Sequence, residues 1–210
     1  MLRARLARRV LGLLGLALTM AGCTGSGADS PRPGPAIPSF ASTSTSATPT
    51  TTAPPARALP ADCGSLLPTA QIDLVLGRPL VGRVQAITGI PEPKIKRLER
   101  FTCRYGLPEG PLLPGAPIPL EVSVSRYTDV ASATERLTET IELERARGAA
   151  PSEVQTGPVK GTVLVTPDRR LLVAANGPIT LAITMAPGIA DDRVNDVLAD
   201  LGGRALAALP

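Results

Sequence analysis

Arg170–Met185 reads RLLVAANGPITLAITM. Arg170–Ala175 and Ile179–Met185 are apolar runs of strand length, and the Asn176-Gly177 between them is a strong two-residue hairpin signal. Asn and Gly tolerate the positive φ that a tight reversal between right-twisted strands requires, and strands joined this closely must pair antiparallel. Moving toward the N-terminus, Pro167-Asp168 marks a turn, and about Lys160–Thr166 reads as another strand. Ile118–Tyr127 (IPLEVSVSRY) alternates after Pro119 and puts Leu120, Val122, Val124 and Arg126 on one face, the pattern of a half-buried strand.

Between these strand groups the period changes. Thr128 or Asp129 is placed to cap a helix that runs to about Arg147 and stops at Gly148. Val130, Ala133, Leu137 and Ile141 share one face of it, with Glu135, Glu139, Glu142 and Glu144 mostly away from that face, as a solvated surface. Upstream, Pro68–Leu76 reads as a short helix closed by Gly77 in the left-handed region. Leu80–Thr88 and Phe101–Leu107 read as strands separated by the breaker Pro91-Glu92-Pro93. Residues 108–117 (PEGPLLPGAP) carry four prolines and read as loop. At the far end Asp191 is read as the cap of a helix with Val194, Val197, Leu198, Leu201 and Ala205 on one face, weakened at Gly202-Gly203. The order is αβββ-α-βββ-α. It predicts an α+β domain over residues 62–210, a mainly antiparallel sheet with helices covering one face. Two αβββ runs hint at duplication, but no residue-level repeat accompanies them.

The N-terminal quarter is of another kind. Met1–Arg9 is basic, Val10–Met20 (VLGLLGLALTM) is apolar, and Ala21-Gly22 leads to Cys23. An apolar run of that length suits a secretory signal, whereas a spanning helix needs about 20 apolar residues. Met20-Ala21-Gly22-Cys23 resembles the lipobox of bacterial lipoproteins, with Met where Leu is commoner. The resemblance implies a signal peptide at 1–22, removed before Cys23, and a lipid (diacylglycerol, palmitate-type) anchor on the Cys23 thiol. Two or more acyl chains hold a protein to a bilayer where one does so only marginally. Arg8-Arg9 leaves the export route open between the general and twin-arginine systems. From Thr24 to Pro60, only Asp29, Arg32, Ile37, Phe40, Arg57 and Leu59 are not Ser, Thr, Pro, Ala or Gly. Residues 23–61 are therefore expected to form a lipidated, disordered tether, because too little apolar surface is available to offset ordering entropy. A flexible chain of this length spans roughly 30–40 Å. The run Ser42–Thr52 reads equally as an O-glycosylation substrate or an unmodified spacer.

Charge excludes one class of function. The formal net charge is +4, but Arg3, Arg5, Arg8 and Arg9 all lie in the signal segment, and the remainder holds 18 basic and 18 acidic residues. The basic footprint that nucleic-acid binding needs therefore disappears on processing, and no nucleic-acid partner is expected. Arg outnumbers Lys 19 to 3, and Phe40, Phe101, Tyr105 and Tyr127 are the only aromatic residues, so the core must be aliphatic. With Cys23 committed to lipid, Cys63 and Cys103 remain. Two cysteines in an exported domain are expected to pair. Free thiols and a metal site are the alternatives, the second a poor one with no His in the chain.

Chemistry is sparsely signalled. Without His there is no Ser-His-Asp triad and no usual general base. Gly-x-Ser-x-Gly, Ser-x-x-Lys, P-loop and dinucleotide-binding patterns are absent from the sequence. Lys160-Gly161-Thr162 is read as a solvated strand start. Glu99, Glu109, Glu121 and Glu153 are candidate carboxylates for glycoside cleavage, with no two placed together by the sequence. Asp191-Asp192 is read as a capping pair rather than a calcium site. Lys94, Lys96, Arg97 and Arg100 are read as a solvated basic segment rather than a lipid or wall contact. No catalytic residue, metal ligand or cofactor is expected.

One resemblance covers most of residues 62–210. The opening Cys63-Gly-Ser-Leu-Leu-Pro-Thr-Ala-Gln-Ile-Asp-Leu-Val-Leu-Gly77, followed by Cys103-Arg104-Tyr105 in a strand, alternating strands and a terminal helix, resembles small uncharacterised actinobacterial lipoproteins. That resemblance implies an envelope location and a disulfide, and it supplies no catalytic residues. The expectation is a lipid-anchored lipoprotein on the outer face of the cell membrane, with a non-catalytic binding domain for a wall polymer, an apolar ligand or an envelope protein. The alternatives are a carboxylate-based enzyme acting on wall polysaccharide and a structural or signalling accessory of an envelope complex.

Overall fold

The computed structural model describes residues 58–209, apart from Pro114. The signal segment, Cys23 and the tether up to residue 57 lie outside the described residues. The domain begins with two short helices, α1 (Cys63–Leu66) and α2 (Thr69–Leu76). Asp62 caps α1, its Oδ1 accepting from the Ser65 amide at 2.8 Å and its Oδ2 from the Ser65 hydroxyl at 2.6 Å. Pro68 stands at the N-terminus of α2, where its missing N–H costs no helical bond. Gly77 ends the helix at φ 69, the left-handed conformation expected of it.

Seven strands follow: β1 (Arg83–Gly89), β2 (Arg97–Leu107), β3 (Leu120–Tyr127), then, after helix α3 (Val130–Ala146), β4 (Ala150–Thr156), β5 (Val159–Val165), β6 (Arg170–Asn176) and β7 (Ile179–Met185). Helix α4 (Val194–Ala207) closes the chain. The strands form one sheet in the order β1-β2-β3-β7-β6-β5-β4, with every neighbouring pair antiparallel. Two meanders thus meet at β3 and β7. Helix α3 carries the chain from the end of β3 to the far edge, and the second meander returns to the centre. The fold class is α+β, as the hydrophobic periodicity predicts.

The structure corrects four particulars. Strand β4, Ala150–Thr156, is an extra strand. Its Pro151 argues against a central position, but β4 is an edge, where a missing donor can face solvent. Gly157-Pro158 closes β4 onto β5, with Thr156 paired to Val159, and Gly177-Pro178 closes β6 onto β7 in the same way, with Asn176 paired to Ile179. The hairpin is therefore one residue later than Asn176-Gly177. Asn176 stays in the ladder, while Gly177 supplies the positive φ of 58 and Pro178 sits in the turn, where it has no N–H to donate. Asp191 does not cap α4. It belongs to a 3₁₀ turn, Asp191–Arg193, and accepts from the Gly188 amide at 2.9 Å and Arg170 Nε at 3.1 Å.

The fourth correction is that helices cover both faces. Phe101, Cys103, Tyr105, Leu120, Val122, Val124, Leu172, Leu181, Ile183 and Met185 point to one face and pack with α1, α2 and α4 into the main core. Leu164, Leu171, Val173 and Ala182 point to the other and meet Leu137 and Ile141 of α3 in a smaller cluster. Helix α4 comes unusually near the sheet. A Cβ on Gly202 would stand 2.6 Å from Leu172 Cδ2 and from Thr156 Cγ2, and Gly203 lies against the backbone of Gly157.

Cys63 and Cys103 are bonded, S–S 2.14 Å and Cα–Cα 5.6 Å, tying α1 to the middle of β2. Tyr105, two residues on, is fully buried, and its hydroxyl donates to the Leu67 carbonyl at 2.9 Å with the Cys63 carbonyl at 3.2 Å. Burial, and then the nearby charge of Asp62, pushes this phenol well above its ordinary range, so it stays a neutral donor. No described helix is long and apolar enough to cross a membrane.

Candidate functional site: a cleft between α3 and the sheet

The narrow apolar stripe of α3 covers β5, β6 and part of β7, but toward β3 and β2 the helix stands off and leaves a cleft of about 310 Å³. The floor comes from the outer face of β2, β3 and β7, and the wall from Arg136, Leu137, Thr140, Leu143 and Glu144 of α3 and from Arg147, which follows its last turn. Strand register builds the floor in rows. Arg100 pairs with Ser125, which pairs with Thr180. Thr102, Ser123 and Ala182 form the next row, and Arg104, Glu121 and Thr184 the one beyond. Side chains in such a row stand about 4.5–5.5 Å apart at Cβ, so each row is a set of groups able to act on one bound atom group.

The cleft is rich in donors. Five arginines (Arg97, Arg100, Arg136, Arg147, Arg169) and two glutamates (Glu121, Glu144) line it. Both carboxylates are already engaged. Glu121 accepts from Arg104 Nε at 2.7 Å, and Glu144 from Arg147 at 3.0 Å and also from Arg169. Arg97 and Arg136 are paired outward with Glu92 and Glu139. Among the described residues Arg100 enters no ion pair. Its Nε donates to Ser123 Oγ at 3.2 Å, and that oxygen lies 2.5 Å from Thr102 Oγ1, which holds the guanidinium over the floor. The Ser125, Tyr127, Thr180 and Thr184 side chains line the cleft with hydroxyls that bond no other described side chain or carbonyl. Arg97 Nε is buried without a partner, on a side chain only 13% exposed.

The expected carboxylates are not brought together. Glu109 is exposed in the proline-rich loop, and Glu153 pairs with Lys160 on the far edge. Glu99 faces the opposite side of the sheet, where the Arg126 guanidinium holds its carboxyl below the usual carboxylate range. Only Glu121 enters the cleft. Among the described residues no group of three His, Cys, Asp or Glu is placed to hold a metal ion. Two readings are revised. Glu144 is not on a solvated face of α3 but is buried, because the helix end leans onto the β5–β6 turn and Arg169. The basic run 94–100 divides, with Arg97 and Arg100 entering the cleft and Lys94 and Lys96 lining a separate recess of about 90 Å³.

Sequence reasoning missed Ser123, Ser125, Thr180 and Thr184. Their signal is present, since small residues, hydroxyl-bearing except for Ala182, recur at every second position opposite an aliphatic face from Ser123 to Ser125 and from Thr180 to Thr184. In a strand taken as half-buried, that pattern reads as solvent-facing. Only the path of α3 over the second face turns it into a site.

The fold and cleft together define an α+β domain with a polar, arginine-lined cleft between α3 and the sheet. No protein-family model matches this chain, and no curated protein sequence matches it.

Proposed function

We propose that this chain is a lipid-anchored protein of the bacterial cell envelope whose folded domain is a non-catalytic binding module, with the α3–sheet cleft as its binding site. The anchor is assigned to Cys23, after a signal peptide at 1–22, with the Ser/Thr/Pro-rich segment up to residue 61 as spacer. The Cys63–Cys103 bond supports an oxidising compartment, since such bonds persist outside the cytosol. The observation that carries the binding reading is the cleft itself. It is a concave site at the small end of the roughly 300–1,000 Å³ range of ligand pockets, and the Ser125 and Thr180 hydroxyls and the terminal nitrogens of Arg100 have no partner among the described residues. A ligand is the natural partner for such groups. Catalysis finds less support, because both cleft carboxylates are engaged by arginines.

The test is a backbone NMR titration of the full-length chain in neutral detergent with a panel of small polar molecules, neutral and charged. Saturable shifts clustered on Ser123, Ser125, Thr140 and Thr180 are expected for at least one member. A panel that perturbs only the opposite face, or nothing, overturns the cleft as the functional site.

A further inference from the structure

Resting on the cleft as a binding site, we propose that its ligand is a phosphoryl group carried on a small polyhydroxyl body, with Arg100 as the charged anchor. Donors outnumber acceptors in the cleft. Glu121 and Glu144 are committed to Arg104, Arg147 and Arg169, which leaves an excess of unused donors. The terminal nitrogens of Arg100 are without a described partner, and the Ser125 and Thr180 hydroxyls are free to donate. A ligand that offers only acceptors satisfies this set. Neutral polyols bring donors of their own and leave the guanidinium charge uncompensated.

Geometry favours a tetrahedral oxyanion over a planar carboxylate. Arg100, Ser125 and Thr180 stand in one row on three adjacent strands, β2, β3 and β7, and Arg97 and Tyr127 form the neighbouring pair. The donors therefore converge from separate backbones. A carboxylate fills a single arginine fork, while a phosphoryl group has oxygens for the arginine and for the flanking hydroxyls together. The bond from Arg100 Nε to Ser123 Oγ leaves its two terminal nitrogens directed to the ligand. The cleft extends past this row to Thr184 and Thr140, whose hydroxyl oxygens suit the hydroxyls of a carrier. A soluble polyol phosphate and a phospholipid headgroup share this chemistry.

The experiment uses the full-length chain in neutral detergent and compares glycerol 3-phosphate, glycerol and phosphatidylglycerol in mixed micelles. Saturable NMR shifts at Arg100, Ser125 and Thr180 are expected with either phosphate source, and the better of the two identifies the carrier. Arg100→Gln, which removes the guanidinium charge while keeping the side chain as far as Cδ and lies on the sheet surface, should weaken binding about 10- to 100-fold, the worth of one charge-assisted contact. Lys160→Gln, an exposed cation on β5, should leave it unchanged. Glycerol shifting the same residues as strongly as its phosphate overturns the phosphoryl assignment and leaves the binding cleft standing. Equal losses in Arg100→Gln and Lys160→Gln overturn it as diffuse charge attraction. No shift from either phosphate source overturns it outright, and the wider panel then decides the cleft on its own.

Discussion

Gly202→Ala sets two effects of opposite sign against each other. Gly202 lies inside α4, where exchanging glycine for alanine gains about 0.8–1.0 kcal/mol of helix propensity. The added Cβ would stand 2.6 Å from both Leu172 Cδ2 and Thr156 Cγ2, whereas carbon pairs rest at about 3.5–4.0 Å. Neither neighbour has an outward path, because both residues are 0% exposed. Overpacking a filled core costs about 1–3 kcal/mol, and two contacts each short by about 1 Å belong at the upper end. The net expectation is a loss of about 2 kcal/mol. For a domain of this size 1 kcal/mol moves the Tm by about 2–4 °C, so the variant should melt roughly 4–8 °C lower. Differential scanning calorimetry reads this directly. A Gly202→Ala protein that melts higher than its parent, as propensity alone dictates, refutes the close approach of α4 to the sheet.

Cys63→Ser should cost about 4 kcal/mol by the loop-entropy relation for a 40-residue separation, a Tm drop of roughly 8–16 °C. Reductant should lower the parent's melting point and leave the variant's where it is, and equal Tm values without reductant would count against the bond. Asp129 caps α3, and its carboxylate is held down to about 2 from 3.8 first by the Ser132 amide and then by the Ser132 hydroxyl. A depressed folded-state pKa means stability present above the unfolded value and lost as pH falls through the folded one. The Tm gap between parent and Asp129→Asn should therefore be constant from pH 7 to about 5 and close progressively between about pH 4 and 2. A gap independent of pH would show that the charged cap contributes nothing. Cys23→Ser should move the protein from the membrane fraction to the soluble one, and an unmodified amino terminus in the intact mass of the parent would contradict the anchor.

Element types were legible because each is set by nearest neighbours along the chain. Alternation in Leu120–Tyr127, the i, i+3, i+4 spacing after Asp129 and the glycine at Gly77 each reflect a local period or a backbone need. The cysteine pair was legible too, since, with Cys23 read as the lipid site, Cys63 and Cys103 were the thiols left to pair. Strand β4 escaped because an edge strand is buried on too little surface to show a clean pattern, and because Pro151 masks it. Glu144 escaped because a glutamate in a glutamate-rich helix looks solvated until Arg169, 25 residues later, is brought against it.

What the amino-acid sequence determined by itself is therefore the kind of each segment and the antiparallel, mixed α and β character of the domain. Tertiary structure alone decided where the meanders meet and which sheet face α3 covers. It also decided how closely α4 approaches and which hydroxyls and arginines share one cleft. These depend on contacts between residues far apart in the chain. A side chain's periodicity says which face of its own strand it occupies, and it carries no information about what the fold lays over that face.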